Sequence, residues 1–187
     1  MELSEKYKVL NKNLYEYENY KIIPVRFKDR YKIMKWRNDQ LYHLRQTEKI
    51  TREEQDYYFN EILLPQKKKY NPDQIIFSLF HKSRFVGYGG LVHINWKTMD
   101  AEVSLVIDTF LEKLFFSTYW DAFLKLLDEV LMDLGNFNKI YTYAFDLRPK
   151  IYEVLEKNNF SFEKNDTYIK GKKKINVKIH KKIINGK

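Results

Sequence analysis

The sequence predicts a single domain of the mixed α/β (α+β) class. Segments that are typical of strands, rich in β-branched and aromatic residues, are interspersed with segments of helical periodicity in the order β-α-α-β-β-β-α-β-α-β-β. The chain has 187 residues, of which 44% are hydrophobic, which is enough for one well-buried core and short for two domains. No internal repeat or Pro/Gly-rich linker interrupts the pattern. We therefore expect one domain.

The N-terminal half is predicted to contain a strand, two helices and a β-hairpin. In chain order these elements span residues 20–26, 29–36, 51–65, 75–80 and 84–92. Asp29 is a residue type that favours the start of a helix. Thr51 and Glu54 fit a capping box, in which each side chain accepts a hydrogen bond from the backbone N–H of the other residue. This pair predicts where the second helix begins.

The C-terminal half is predicted to contain four strands and two helices. In chain order these elements span residues 101–107, 117–134, 140–145, 149–158, 160–163 and 175–183. The first strand alternates, so that Glu102 and Ser104 share one face. Ser117 is expected to cap the long helix, and Gly135 suits the left-handed residue that ends it. Pro149 is expected to start the last helix.

Composition narrows the function classes. The net charge of +9 favours encounters with anions, whether nucleic acid, anionic lipid or a phosphate-bearing ligand, without choosing among them. The absence of cysteine excludes disulfides, thiolate nucleophiles and Cys-based zinc sites, and the four His lack metal-binding spacing, so we expect no metal. No RNA-binding signature is present, so we do not expect a nucleic-acid partner.

Targeting signals are also not apparent. No apolar run approaches the roughly 20 residues that span a bilayer, so we expect no membrane insertion. Residues 1–19 lack the apolar core of a secretory signal. We therefore expect a cytoplasmic protein with an N-terminal extension at 1–19, a domain at 20–183 and a short tail at 184–187.

Three short motifs resemble the GNAT acetyltransferase superfamily. Phe85-Val-Gly-Tyr-Gly-Gly-Leu91 resembles the third strand of that family, Ala101-Glu-Val-Ser-Leu105 the fourth, and Val154-Leu-Glu-Lys-Asn-Asn-Phe160 the end of its last helix. The order of elements between Tyr20 and Ile183 is similar as well. The resemblance implies the GNAT fold, a central, mostly antiparallel twisted sheet of about six to seven strands flanked by about four helices. It also implies that the fourth and fifth strands splay apart.

The resemblance extends to a likeness with two branches of the superfamily. Trp36-Arg37-Asn38 resembles a segment of amino-sugar-nucleotide acetyltransferases. Leu155 replaces the frequent tyrosine acid, as in branches that resemble ribosomal-protein alanine acetyltransferases. The resemblance implies acetyl-CoA as cosubstrate and a primary-amine acceptor, with a nucleotide-linked amino sugar of surface-polysaccharide biosynthesis favoured. The alternatives are a non-catalytic GNAT-like binding domain and an acetyltransferase for a protein N-terminus or another small amine, in either case a monomer or a homodimer.

The segment that should bind the pyrophosphate of CoA departs from the family. The family loop contains glycines that let backbone amides approach the phosphates, and residues 111–119 have none. Lys113 is expected to supply positive charge instead, and Ser117 a hydroxyl at the helix start. Arg148 aligns with an asparagine that the family places at the start of its last helix.

The resemblance also implies the catalytic residues. Backbone amides around Leu105, Val106 and Ile107 would pair with the cosubstrate and polarise the thioester carbonyl. Glu102, on the same strand, is our first choice for the general base that accepts the proton of the amine. His93 is the second choice because its ordinary pKa suits the task, although it also fits a turn. The thiolate would then receive its proton from Tyr152, Tyr143 or water.

Four residues on the first helices and the loop between them are candidates for acceptor binding: Trp36, Arg37, Arg45 and Gln55. The two guanidinium groups suit an acceptor phosphate, although the ordinary interpretation is surface pairing with acidic side chains such as Asp39, Glu48 or Glu53. Trp36 also fits a core position.

Overall fold

The structure, a computed structural model, describes residues 5–184. Its strands and α-helices, in chain order, are β1 (Tyr15–Tyr17), β2 (Tyr20–Pro24), α1 (Arg30–Asp39), α2 (Arg52–Tyr57), β3 (Ile75–His81), β4 (Arg84–Asn95), β5 (Asp100–Ile107), α3 (Thr109–Leu134), β6 (Lys139–Phe145), α4 (Lys150–Lys157), β7 (Ser161–Lys170) and β8 (Lys173–Ile183). Short 3₁₀ turns precede and follow α1, and α2 continues through π-helical and 3₁₀ turns to Lys68.

All strands of this described part form one sheet in the order β1-β2-β3-β4-β5-β6-β8-β7. Neighbouring strands are antiparallel except β5 and β6, which are parallel. These two pair from Asp100 to Glu102 and then separate, although both strands continue. The predicted fold, mostly antiparallel and splayed between the fourth and fifth predicted strands, is confirmed. Strand β1 is additional to the predicted set.

The sheet buries both faces. The larger core, which includes Val103 and Leu105 of β5, packs against α3 and α4. The smaller core, which includes Val106, packs against Trp36 of α1 and the segment after α2. The alternation predicted for this strand is therefore present, and it places Glu102 on the same face as Val106.

Part of the segment predicted as an N-terminal extension (1–19) packs into the sheet. Tyr7 and Tyr15 are buried in the larger core, and the Tyr7 hydroxyl accepts a hydrogen bond of 2.9 Å from the backbone of β3. The sheet therefore begins before residue 20. Residues 1–4 and most of the predicted tail at 184–187 lie outside the described residues.

Helical structure begins earlier than the start predicted for the long helix. Helix α3 begins at Thr109, and the Asp108 side chain caps it by accepting hydrogen bonds from two backbone N–H groups. Exposed Phe110 and Leu114 disturb the amphipathic pattern of the first turns, which is why periodicity reveals the later part of the helix alone. The helix is broken at Phe115, whose φ of −132° and ψ of 25° are non-helical. The Thr51–Glu54 capping box, in contrast, is confirmed. No helix among the described residues is long and apolar enough to cross a membrane.

The tight packing of β4 between its neighbours gives a first prediction. A Cβ atom on Gly89 would lie 2.1 Å from the carbonyl oxygen of Ser104, and backbone atoms cannot yield as a flexible side chain does. Gly89→Ala should therefore lower the free energy of unfolding by about 3 kcal/mol. Gly87→Ala is the matched control. Its Cβ would lie farther from the neighbouring strand, 2.9 Å from the Val106 oxygen, so its loss of free energy of unfolding should be smaller. Equal effects in chemical denaturation would contradict the close-packing argument.

Candidate functional site

The gap between β5 and β6 contains a cavity of about 370 Å³, which we call the inner cavity. Its lining includes Arg45, His93, Glu102, Leu105 and Tyr143. Glu102 is the last residue of β5 that pairs with β6, so its side chain lies where the two strands begin to part. The inner cavity thus brings together several residues that the sequence predicts for one site.

The backbone of β5 presents hydrogen-bonding groups to this gap. The Asp108 N–H donates to the Val86 oxygen at 2.8 Å, and bonding direction alternates along an antiparallel strand. Val106 therefore points its N–H toward β4, and Leu105 points its N–H toward the gap. The Ile107 carbonyl is occupied, since it accepts a hydrogen bond of 2.7 Å from the Gln40 side chain. Of the three residues whose amides were predicted to bind the cosubstrate, Leu105 is the one that lines the inner cavity.

Two residues that line the inner cavity each carry a buried polar group without a partner. Among residues 5–184, the indole N–H of Trp120 and the hydroxyl of Thr142 are buried and make no hydrogen bond. Such groups are unfavourable unless something satisfies them. Leu105, Trp120 and Thr142 all line the inner cavity.

Glu102 lies at the centre of a charged cluster. Its Oε1 atom accepts a hydrogen bond of 2.5 Å from Arg45 Nη2, and its Oε2 atom lies 3.9 Å from His93 Nε2. Arg45 Nη1 is also 3.2 Å from the same His93 nitrogen. His93 adopts a left-handed φ of 51° at an irregularity of the β4–β5 pairing, and this bulge positions its ring. The base candidates and one acceptor candidate are therefore in contact.

A second guanidinium lines the inner cavity in a fixed position. Arg37 donates 2.9 Å hydrogen bonds to the Tyr88 hydroxyl and to the Gln46 side chain. Interaction with Tyr88 raises the pKa of Arg37, so this group remains cationic. The cavity therefore has more positive than negative charge, because Arg37, Arg45 and Arg148 share it with Glu102.

A second cavity of about 420 Å³, the outer cavity, lies at the start of α3. Its lining includes Lys113, Arg148 and Lys150, the last two from the start of α4. Phe116 and Pro149 contribute apolar surface. Two of the predicted cofactor-binding residues, Lys113 and Arg148, therefore meet at one site.

Four buried or half-buried polar side chains separate the two cavities, and we call them the polar partition: Gln40, His43, Glu112 and Arg148. Arg148 Nη1 donates to Glu112 Oε1 at 2.5 Å, and His43 Nε2 lies 3.8 Å from the same oxygen. His43 Nε2 also lies 3.0 Å from Gln40 Oε1, to which it donates because the Gln40 nitrogen is already a donor elsewhere. The partition thus bridges the segment after α1, the start of α3 and the connection between β6 and α4.

The partition holds a histidine in its neutral form. Burial lowers the pKa of His43 to about 3, and the positive charges of Arg148 and Lys170 act in the same direction. The Glu112 carboxylate at 3.8 Å does not reverse this, because Arg148 already neutralises it.

Three of the predicted catalytic and acceptor-binding residues do not reach the inner cavity. The Tyr152 hydroxyl donates to Asp146 at 2.7 Å, and burial together with this bond raises the pKa of Tyr152. Gln55 is buried and donates to the Arg30 carbonyl at 2.9 Å. Trp36 packs on Phe85 in the smaller core. Their geometry is that of structural residues.

Ser117 does not line either cavity. It is exposed in the interior of α3, shortly after the break at Phe115. The residues that the sequence did not indicate are those of the partition other than Arg148. Gln40 and His43 come from a turn that folds over the end of β5, and no local pattern signals that contact.

The chain matches one family model and is similar in fold to several solved structures. A family model described as the acetyltransferase (GNAT) domain matches residues 22–180. A search of curated proteins gave no match. Spermidine N-acetyltransferase from Vibrio cholerae in complex with CoA and spermine superimposes with a TM-score of 0.73 at 17% identity, covering 89% of this chain and 96% of that one.

A second solved structure is similarly close in fold. RimL, a ribosomal alpha-N-protein acetyltransferase in complex with coenzyme A, superimposes with a TM-score of 0.74 at 11% identity. The match covers 93% of this chain and 99% of that one. At these identities, each structural match establishes a shared fold.

His43 gives a prediction for the pH dependence of stability. In the unfolded chain a histidine binds a proton near pH 6.5, whereas folded His43 does so at about pH 3. Between these values the unfolded state holds more protons, so the free energy of unfolding falls as the pH is lowered. The slope from this site is about 1.4 kcal/mol per pH unit.

The test compares wild type and His43→Gln by chemical denaturation between pH 7.5 and 5. The free energy of unfolding should decline less steeply on acidification in the variant than in wild type. The difference between the two proteins at pH 7.5 measures the effect of the altered hydrogen bonding alone. Parallel curves would show that His43 does not remain neutral in the folded protein.

Proposed function

The chain belongs to the GNAT acetyltransferase family and is an acyl-CoA-dependent N-acetyltransferase, and we propose that it acetylates a primary amine whose carrier is anionic, with a nucleotide-linked amino sugar as the favoured acceptor. The observation that carries the proposal is the cluster at the parting of β5 and β6. There a buried carboxylate, Glu102, lies among arginines in a cavity open to a ligand.

The described residues fit acetyl-CoA as cosubstrate. We propose that the unsatisfied groups of Trp120 and Thr142, with the Leu105 N–H, bind the amide-containing arm in the inner cavity. Lys113 and Lys150 would hold the diphosphate in the outer cavity. Cationic side chains there offset the missing loop glycines, because charge replaces the close approach of backbone amides. Acetyl-CoA supplies the activated acyl group.

The residues at the parting of the strands are arranged for amine acetylation. Glu102 accepts the proton of the attacking amine, with His93 as the second candidate for this role. The Leu105 N–H polarises the carbonyl at which the amine attacks. Tyr143, which lines the same cavity, can donate a proton to the leaving thiolate. Burial and the nearby Asp166 carboxylate raise the pKa of Tyr143, so its hydroxyl retains a proton to give.

The charge of the inner cavity supports an anionic acceptor over a polycation. Arg37 and Arg45 would repel a second ammonium group of a polyamine such as the spermine bound by the Vibrio cholerae neighbour. The same guanidinium groups suit a phosphate or carboxylate. A protein N-terminus followed by acidic residues is the second candidate, because the cavity would offer it the same pair of charges.

The role of Glu102 is tested by Glu102→Gln, which keeps the shape of the side chain and removes the base. Since general-base catalysis contributes about 10²- to 10⁴-fold, kcat should fall by at least about 10²-fold. The Kd of CoA should change little, because the carboxylate lies at the acceptor end. Glu163→Gln, on β7 and paired with Lys181, is the matched control. Retained activity in Glu102→Gln with loss in His93→Ala would transfer the role to His93.

The placement of the cosubstrate is tested by Thr142→Val, which removes the unpaired buried hydroxyl and keeps the branched shape. The ligand-free protein should gain about 1 kcal/mol in free energy of unfolding, since an unsatisfied polar group is eliminated. Affinity for CoA should fall several-fold in isothermal titration, because the ligand loses a partner. Thr167→Val on β7 serves as control. Improved stability with unchanged CoA affinity would show that the amide-containing arm does not reach Thr142.

A further inference from the structure

We infer that Arg45 selects the acceptor by blocking Glu102. The guanidinium forms an ion pair with the carboxylate in the free enzyme, and an anionic group on the acceptor breaks this pair by binding the guanidinium. The inference rests on the proposed function and specifies which amines the site admits. Arg45 is thus a specificity-determining residue in addition to a source of charge.

The blocking contact is direct. Arg45 Nη2 lies 2.5 Å from Glu102 Oε1, and the Glu102 side chain is 11% exposed. The approach to this carboxylate oxygen is therefore filled by the guanidinium. The other oxygen faces His93 at 3.9 Å. An incoming amine reaches Oε1 after Arg45 has moved.

Arg45 is able to move while its backbone stays in place. It lies in the connection between α1 and α2, in a stretch without helix or strand, and its side chain is 35% exposed. The backbone beside it is anchored, since Lys170 Nζ donates to the Leu44 carbonyl at 2.6 Å. The guanidinium also lies 4.5 Å from the centre of the Tyr143 ring, a contact that remains available when the carboxylate is released.

Charge compensation determines which acceptors can separate the Arg45–Glu102 ion pair. Separating a largely buried ion pair is unfavourable when either partner is left alone. An acceptor with an ammonium and a nearby anionic group provides a new partner for each, the ammonium for Glu102 and the anion for Arg45. An amine on a neutral carrier provides a partner for Glu102 alone, and a polyamine adds repulsion toward Arg45. The exchange therefore favours zwitterionic acceptors before any proton is transferred.

Arg37 does not share this behaviour. It is held by two hydrogen bonds, to Tyr88 and to Gln46, and makes no ion pair with Glu102 within the described residues. It provides a stationary positive charge behind the exchange. Arg45 is therefore the residue that distinguishes between acceptors, because an anionic acceptor releases it from Glu102.

The experiment measures kcat/KM for acetyl transfer from acetyl-CoA to two matched probes, a free amino sugar and its phosphate monoester. Wild type should prefer the phosphorylated probe by about tenfold or more. Arg45→Met should remove most of this preference, by raising the KM of the phosphorylated probe and raising kcat/KM for the neutral one. Arg45→Gln, which is polar and uncharged, should behave alike and guards against a folding defect of the first variant. Arg52→Met, a guanidinium over the Tyr31 ring outside the cavities, is the control and should keep the wild-type preference.

The outcomes separate this inference from the proposed function. If wild type transfers the acetyl group and both Arg45 variants keep the preference for the phosphorylated probe, the inferred role of Arg45 is overturned. The acetyltransferase assignment then remains intact. An equal loss with both probes would also overturn the inferred role, because a merely structural Arg45 would not discriminate between them. Absence of transfer to either probe and to an acidic N-terminal peptide, with CoA still bound, would instead overturn the proposed anionic acceptor.

Discussion

The early parting of β5 and β6 is the constraint on which the rest of the site depends. The strands pair from Asp100 to Glu102 and then diverge, so backbone groups that a continuous sheet would satisfy are left facing a gap. At the closed end, the last paired residue is the carboxylate proposed as the base. At the open end, Gln40 satisfies the carbonyl of Ile107. Between them the Leu105 N–H and two unpaired side chains remain for a ligand.

Two arginine–carboxylate pairs occupy the two ends of this gap. Arg45 and Glu102 meet at the acceptor end, and Arg148 and Glu112 meet between the inner and outer cavities, each at 2.5 Å. In both cases the partners come from different elements, so each pair joins walls of the cleft that are distant in sequence. Such pairs are costly to separate without replacement, and each lies where a charged ligand would supply a new partner. Each pair therefore holds two walls of the cleft together.

The sequence predicted best what local chemistry determines. The capping box of α2 and the alternation of β5 depend on residues a few positions apart, and both are present. The start of α3 was missed because its first turn exposes Phe110 and therefore lacks the amphipathic signal. Glu102 and Arg45 were predicted to share one site. The motif at 101–105 identified the strand that carries Glu102, and the connection between α1 and α2, which carries Arg45, was expected to face that strand. The His43 contacts were not predictable, because they arise when a turn crosses the end of a distant strand. Tyr152 bonds to Asp146 and does not line the inner cavity, because spacing on a short helix does not determine which wall its side chain meets.

The polar partition has a consequence for the timing of catalysis. Because its side chains bridge α3 and the connection between β6 and α4, we expect the cosubstrate to enter the inner cavity by exchanging these hydrogen bonds. Association that requires such a conformational change is slower than association with a preformed site. We expect the same exchange of hydrogen bonds to slow the release of the spent cosubstrate, a step that limits turnover in many enzymes.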